Sequence, residues 1–231
     1  MWTKALVHEA LATLYLRLNG YFTTGLILPS PEWGQNRCEV DCLAIRHPNH
    51  AQRERCVETS KFLAVQQEPA DLIICEVKSS VEDTKFNESL RNDQECIPAL
   101  LRWAGVFSEE KIKSVASRVK PLLQPDAALE DVRNGVTEDK CRVRPLLCCP
   151  SHSEAGCADR WWLVGSELFD FVNKCFNPTV RRPDSSTRYN FELWGYALAP
   201  VVKYFKDAKE KGRAPNLADL YKHLKVRQHA S

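Results

Sequence analysis

The sequence predicts an α/β fold on three observations: a helix-like stretch comes first, apolar strand-like segments follow it, and helical patterns then flank one more long strand. In residues 2–18, Trp2, Leu6, Leu14 and Leu18 recur near helical spacing, and Asn19-Gly20 supplies a stop. Tyr21 to Leu28 is rich in aromatic and branched residues and ends at Pro29-Ser30-Pro31, which reads as a strand. Arg37–Arg46 and Ala70–Lys78 read as two more. Between them, residues 47–69 are polar and charged apart from the short apolar patch Phe62 to Val65, and are expected to form an insertion.

After Ser80 the pattern becomes helical, with Leu90, Ile97, Leu100, Leu101 and Trp103 as an apolar face, and a second helix is expected over Ser108–Leu123, punctuated by Pro121 and Pro125. Cys141–Cys149 has strand character and Leu163-Val164 adds a short one. Ser166 is a reasonable N-cap for a helix carrying Leu168, Phe169, Phe171 and Val172. A polar loop over 177–186 leads to a helical stretch from Tyr189 to Lys211 and a last short helix near Leu217–Lys225. These elements divide the chain into a core over 1–175 and a basic helical extension over 176–231.

A length of 231 residues suits one α/β domain with an extension. With 44% hydrophobic and 27% charged residues, the composition excludes collagen-like, coiled-coil and wholly disordered classes. No window approaches the roughly 18 apolar residues of a membrane span. Lys4, His8, Glu9 and Arg17 interrupt the first helix and make it unlike a secretory signal. A cytoplasmic protein is expected, its ten cysteines free and mostly buried rather than paired. The net charge of +2 conceals an asymmetry. From Phe176 onward eleven Lys/Arg face five Asp/Glu, a balance of +6, which leaves −4 for residues 1–175. That split suits an enzyme that gathers metal cations in one place and polyanions in another, although taken alone such a tail is more often a solvated helical surface.

The chemistry lies in two strands, Arg37-Cys38-Glu39-Val40-Asp41-Cys42-Leu43-Ala44-Ile45 and Asp71-Leu72-Ile73-Ile74-Cys75-Glu76-Val77-Lys78. Because side chains alternate, Glu39 and Asp41 share a face of the first strand, and Glu76 and Lys78 share a face of the second. Leu72 and Ile74 precede Glu76 on its own face while Ile73, Cys75 and Val77 line the other, so the second strand reads as buried on both sides up to a charged end. Charges at such a position are costly unless a ligand or metal compensates them. Hydrolysis of a phosphodiester is the chemistry they would serve: carboxylates hold a hard cation, and a lysine orients water or stabilises charge on phosphorus. The alternative is a salt bridge between neighbouring strand ends.

A helix with a glutamate, a strand ending in Glu39-x-Asp41 and an apolar strand ending in Glu76-x-Lys78 resembles the PD-(D/E)xK nuclease superfamily, closest in its Glu-Val-Asp and Glu-Val-Lys variants to Holliday-junction resolvase-like and Mrr-like members. The resemblance covers residues 5–105 by motif and extends to 175 by element order. It implies a restriction-endonuclease-like mixed sheet flanked by helices, here with a helical C-terminal extension. Asp41 and Glu76 would be the metal-binding acids, Lys78 the catalytic lysine, and Glu9 the first-helix acid that adds a metal or water contact. It further implies a magnesium- or manganese-dependent nuclease acting on nucleic acid, DNA being the expected substrate, with a homodimer or an accessory protein as the expected partner. The sequence departs from the pattern in lacking the proline that names it, in carrying Cys38 where a glycine is common, and in its long insertion between the motif strands. The rival expectation is a non-catalytic nucleic-acid- or protein-binding module on the same fold.

Three further groups complete the candidates. Around Glu9, the neighbours Ala5, Ala12 and Thr13 are small and leave it room to face inward, whereas Glu39 is at most an auxiliary acid. Cys149, His152 and Cys157, with Cys141 as a fourth, invite a zinc reading, against which stands a strand end with a buried thiol and a surface-loop histidine. Arg181, Arg182, Lys203 and Lys206, with Lys209, Lys211 and Arg213, are interleaved with Tyr189, Trp194, Tyr196, Tyr204 and Phe205. The cations suit phosphate contacts, and at helical spacing the aromatics suit a core better than a stacking platform.

Overall fold

The computed structural model describes residues 1–52, 56–80, 85–152, 161–179, 194–210 and 212–227. Helix α1 (Lys4–Leu18) is followed by strands β1 (Phe22–Pro29), β2 (Asn36–Arg46) and β3 (Ala70–Val77). Helices α2 (Glu88–Asn92), α3 (Cys96–Ala104) and α4 (Glu109–Val119) come next, the last running into a 3-10 turn over Lys120–Leu123. Helix α5 (Leu129–Asn134), strands β4 (Val136–Glu138), β5 (Cys141–Cys149) and β6 (Trp162–Val164), and helices α6 (Gly165–Phe176), α7 (Gly195–Glu210) and α8 (Leu217–His223) complete the order. Among the described residues no helix is long and apolar enough to cross a membrane.

The α/β class follows from how the strands pair. The sheet is mixed and six-stranded, in the order β1-β2-β3-β5-β4, with β6 also on β5. β1, β2 and β3 are antiparallel neighbours, β5 runs parallel to β3, and β4 is antiparallel to β5. The insertion over 47–69 does not part the motif strands, since Cys42 pairs with Cys75 and Arg46 with Asp71. It closes back on the domain instead. Ser60 donates its N–H to Asn19 Oδ1 at 2.8 Å and accepts the Tyr15 hydroxyl at 2.7 Å, while Leu63 is fully buried.

β3 is the middle of a three-layer sandwich because both of its faces are apolar. Ile73 and Cys75 join a core with Leu11, Leu14 and Tyr15 of α1 and Leu168 and Val172 of α6. Leu72 and Ile74 join a second core with Ile97 and Leu101 of α3 and Ile112 and Val115 of α4. Each fully buried aliphatic side chain contributes about 1.5–3 kcal/mol, so an all-apolar strand is the stiffest element available for holding a site. Leu198, Val201, Val202 and Phe205 of α7 and Leu220 of α8 belong to the first core. The aromatics Tyr204 and Phe205 are therefore packing residues, as their spacing predicts. Cysteines among the described residues are free and mostly buried.

Several local expectations need correction. The helical stretch ending at Trp103 is two helices, broken at the extended Asp93, whose carboxylate takes the Arg37 guanidinium at 3.1 Å and the Glu95 N–H at 2.7 Å. Trp103 is exposed rather than part of the apolar face. Ser166 is not an N-cap: α6 starts at Gly165, directly after β6. Gly165 donates to the His152 carbonyl at 2.7 Å, and a Cβ there would stand 2.2 Å from the Pro150 carbonyl oxygen. Helix α5 and strand β4 carry too few apolar residues to show periodicity in the sequence. They turn at Gly135 (φ +69°), where a Cβ would meet Arg144 Cγ at 2.4 Å.

Candidate active site

Asp41 and Glu76 lie on neighbouring strands one step beyond the Cys42–Cys75 pair. The ladder ends there, with Glu76 on the face of the second core and Asp41 toward α1, and the two are near enough for the Asp41 charge to act on Glu76. Asp41 Oδ2 accepts the Val77 N–H at 2.7 Å. Glu76 continues the face of Leu72 and Ile74 and is only 2% exposed, its Oε1 bonded to Lys78 Nζ at 3.0 Å. The Lys78 ammonium also donates to Asn87 Oδ1 at 3.0 Å, just before α2. Among the described residues, Glu76 Oε2 is buried and has no hydrogen-bond partner.

Burial and the Asp41 charge push Glu76 up to about 7, an effect that Lys78 only partly offsets. Burial also raises Asp41, against the lowering effect of the Val77 N–H. Glu9 is half-buried, and burial together with the charges of Asp41 and Glu39 raises it. The Asp41 charge thus makes both Glu76 and Glu9 harder to ionise, as a nearby negative charge does at a poorly solvated spot.

An unpartnered buried carboxylate oxygen beside a second carboxylate is what a hard cation would satisfy. Among the described residues no three His, Cys, Asp or Glu side chains form a metal-sized group. The candidate ligands are Asp41 and Glu76, with Glu9 beside Asp41 in the wall of an open groove. Such a set fits magnesium, which keeps several waters and is held by one or two carboxylates together with substrate phosphate.

No family model, curated protein or solved structure matches the chain. The chemistry of the site follows from its geometry alone.

The remaining candidates are scattered. Glu39 is exposed and Glu9 lines an open groove with Asp41. Lys203 is exposed and paired with Asp207 at 2.6 Å, and Lys206 is half-buried. Neither lysine lines that groove. Arg181, Arg182, Tyr189, Lys211 and Cys157 lie outside the described residues. Cys149 Sγ is 3.4 Å from Ser151 Oγ, and the His152 carbonyl is taken by Gly165. Cys141 cannot join them: it begins the strand that Cys149 ends, on the order of 25 Å away at about 3.3 Å per residue.

Two arrangements lie outside the sequence-predicted candidates. Asn87 holds Lys78 from a loop, with nothing local to mark it. At the opposite end of β3, Asp71 accepts the Tyr21 hydroxyl at 2.6 Å, both Nε and Nη2 of Arg142 at 3.1 Å, and Arg144 through Nε at 2.9 Å and through Nη2. Arg144 is fully buried, with its guanidinium 4.7 Å over the Trp161 ring. The two guanidinium groups hold Asp71 below the usual carboxylate range despite its burial. The alternation Arg142-x-Arg144 in an otherwise apolar strand is the signal that marks this network.

Proposed function

We propose that the chain is a divalent-cation-dependent nuclease that hydrolyses phosphodiester bonds, DNA being the first substrate to test, on a restriction-endonuclease-like sheet. The observation that carries this is the buried, unpartnered Oε2 of Glu76 beside Asp41 and within reach of Lys78. Asp41 and Glu76 would hold the magnesium or manganese ion, which when bound polarises the phosphate and neutralises charge that develops on it.

The chain's own groups do the rest. Val77 N–H and the rigid strand fix Asp41, so its carboxylate does not reorganise during the reaction. Asn87 and Glu76 hold Lys78 in one place, where the ammonium orients a water against phosphorus and stabilises the extra charge on the phosphoryl oxygens. The water oxygen bonds to phosphorus as the bond to the leaving sugar oxygen breaks; the attacking water gives up a proton to solvent, and the leaving oxygen takes one up from solvent. Cleavage of supercoiled plasmid, linear duplex, single strand, branched junction and RNA, each with magnesium, manganese or chelator, tests the proposal. Cation-dependent cutting of any of them supports it, and no cutting of all five contradicts it.

The Glu76–Lys78 ion pair at 3.0 Å also favours a second reading, a non-catalytic module in which the pair is structural. In that case magnesium or manganese would leave thermal stability unchanged.

A further inference from the structure

An open groove of about 600 Å³ leads away from Asp41, within the roughly 300–1,000 Å³ range of ligand sites. Glu9 and Asp41 stand in its wall, with Trp2 before α1 and Trp194 and Tyr196 at the start of α7. The β1–β2 register shifts here, with Asp41 and Cys42 of β2 set against the single Gly25 of β1, which brings no side chain into the opening. Arg17 also lines the groove, its guanidinium 5.2 Å over the Trp194 ring and, among the described residues, without a carboxylate partner. Tyr196 is 91% exposed among the described residues, an unusual position for a large aromatic.

We infer that this groove seats an unpaired nucleic-acid strand, with a base stacked on Tyr196 and a phosphate facing Arg17. The inference rests on the nuclease reading for the role of Asp41. An exposed aromatic face beside a cation is how proteins hold single strands: every base has a π-face, and stacking tolerates any sequence. A duplex gives such a face nothing to grip, because its bases stack on one another, and it would meet the groove only through phosphates. Running from the aromatics to the carboxylates, the groove would deliver the strand's backbone to Asp41.

Equilibrium binding of labelled oligothymidylate, oligouridylate and a duplex of the same length, measured by fluorescence anisotropy in chelator, tests the inference with the full chain. Tyr196→Ala is the probing variant, since the exposed side chain can be removed without disturbing the core, and Tyr196→Phe is its control. We expect one of the single strands to bind more tightly than the duplex. Tyr196→Ala should weaken that binding about tenfold, within the range for losing one stacked base, and Tyr196→Phe should retain it. Equal affinity for strand and duplex, or strand binding indifferent to Tyr196→Ala, overturns the inference. Binding is read without cation, so a wild-type protein that binds strands yet cuts nothing with magnesium or manganese would lose the nuclease reading and keep the groove. Cutting with strand binding unmoved by Tyr196→Ala would do the reverse.

Discussion

The Val77 N–H, between Glu76 and Lys78 in the chain, donates to the Asp41 carboxylate at 2.7 Å. One backbone group thus ties the acid of β2 to the strand that presents the other acid and the lysine. The site is one rigid unit built on two strands, and its electrostatics follow from that closeness.

Glu76 makes the site costly to the fold at neutral pH. Between the unfolded carboxyl value of 4.5 and the folded value of about 7, the folded chain holds a proton that the unfolded chain has released. Stability therefore falls as pH rises through that window, by about 3 kcal/mol at 1.36 kcal/mol per unit. Glu76→Gln should equal the wild type near pH 4.5 and exceed it by a kcal/mol or more at pH 8, while losing cleavage. Urea denaturation of both proteins across this range measures the difference.

His8 has the opposite slope. It is buried in α1 with its Nε2 on the Tyr221 hydroxyl, and burial lowers it from 6.5 to about 4. Below pH 6.5 the unfolded chain takes up a proton that the folded chain refuses until about pH 4, so stability is lost as pH falls through that window. His8→Gln should gain on the wild type by about 2–3 kcal/mol at pH 4 relative to pH 7. The same denaturation series, read as variant minus wild type, separates this from the Glu76 effect.

How much of this could be read in the sequence depended on whether the signal was local. Glu76 and Lys78 stood out because an apolar strand ends in them, and the two cores on β3 follow from the alternation of Leu72 and Ile74 with Ile73 and Cys75. Asn87 did not stand out, because its role is set by where a loop returns in space. The break at Asp93 was hidden for a similar reason: a long-range pair with Arg37 overrides helical periodicity. Tyr196 looked like part of a helical core, and only the packing of α7 against α1 and α6 shows that Leu198, Val201, Val202 and Phe205 are buried while it is not.

At the other end of β3, Asp71→Asn should be severely destabilising. It leaves Arg142 and Arg144 buried without their shared counter-charge, and breaking such a pair costs about 3–5 kcal/mol. The network is remote from Glu76 along the strand, so whatever protein remains folded should keep its response to divalent cations. Denaturation curves with and without manganese check both halves.

Cation binding should itself depend on pH. The ion must displace the proton that Glu76 holds up to about pH 7, so apparent affinity should fall about tenfold per unit below that value and level off above it. At pH 8, manganese at a hundredfold excess over its dissociation constant should add about 2.7 kcal/mol to stability. Thermal unfolding at pH 6 and pH 8 over a manganese titration reads both effects, and Glu76→Gln should abolish them.

The most direct test of the nuclease assignment is single-turnover cleavage at pH 8 in manganese, comparing the wild type with Lys78→Ala on whichever nucleic acid the wild type cuts. The site geometry predicts a rate loss of at least about a hundredfold, the typical cost of removing one charge-stabilising donor, in a protein that stays folded although its unfolding midpoint falls as Glu76 loses its ammonium partner. Lys78→Ala that cuts at the wild-type rate would contradict the assignment.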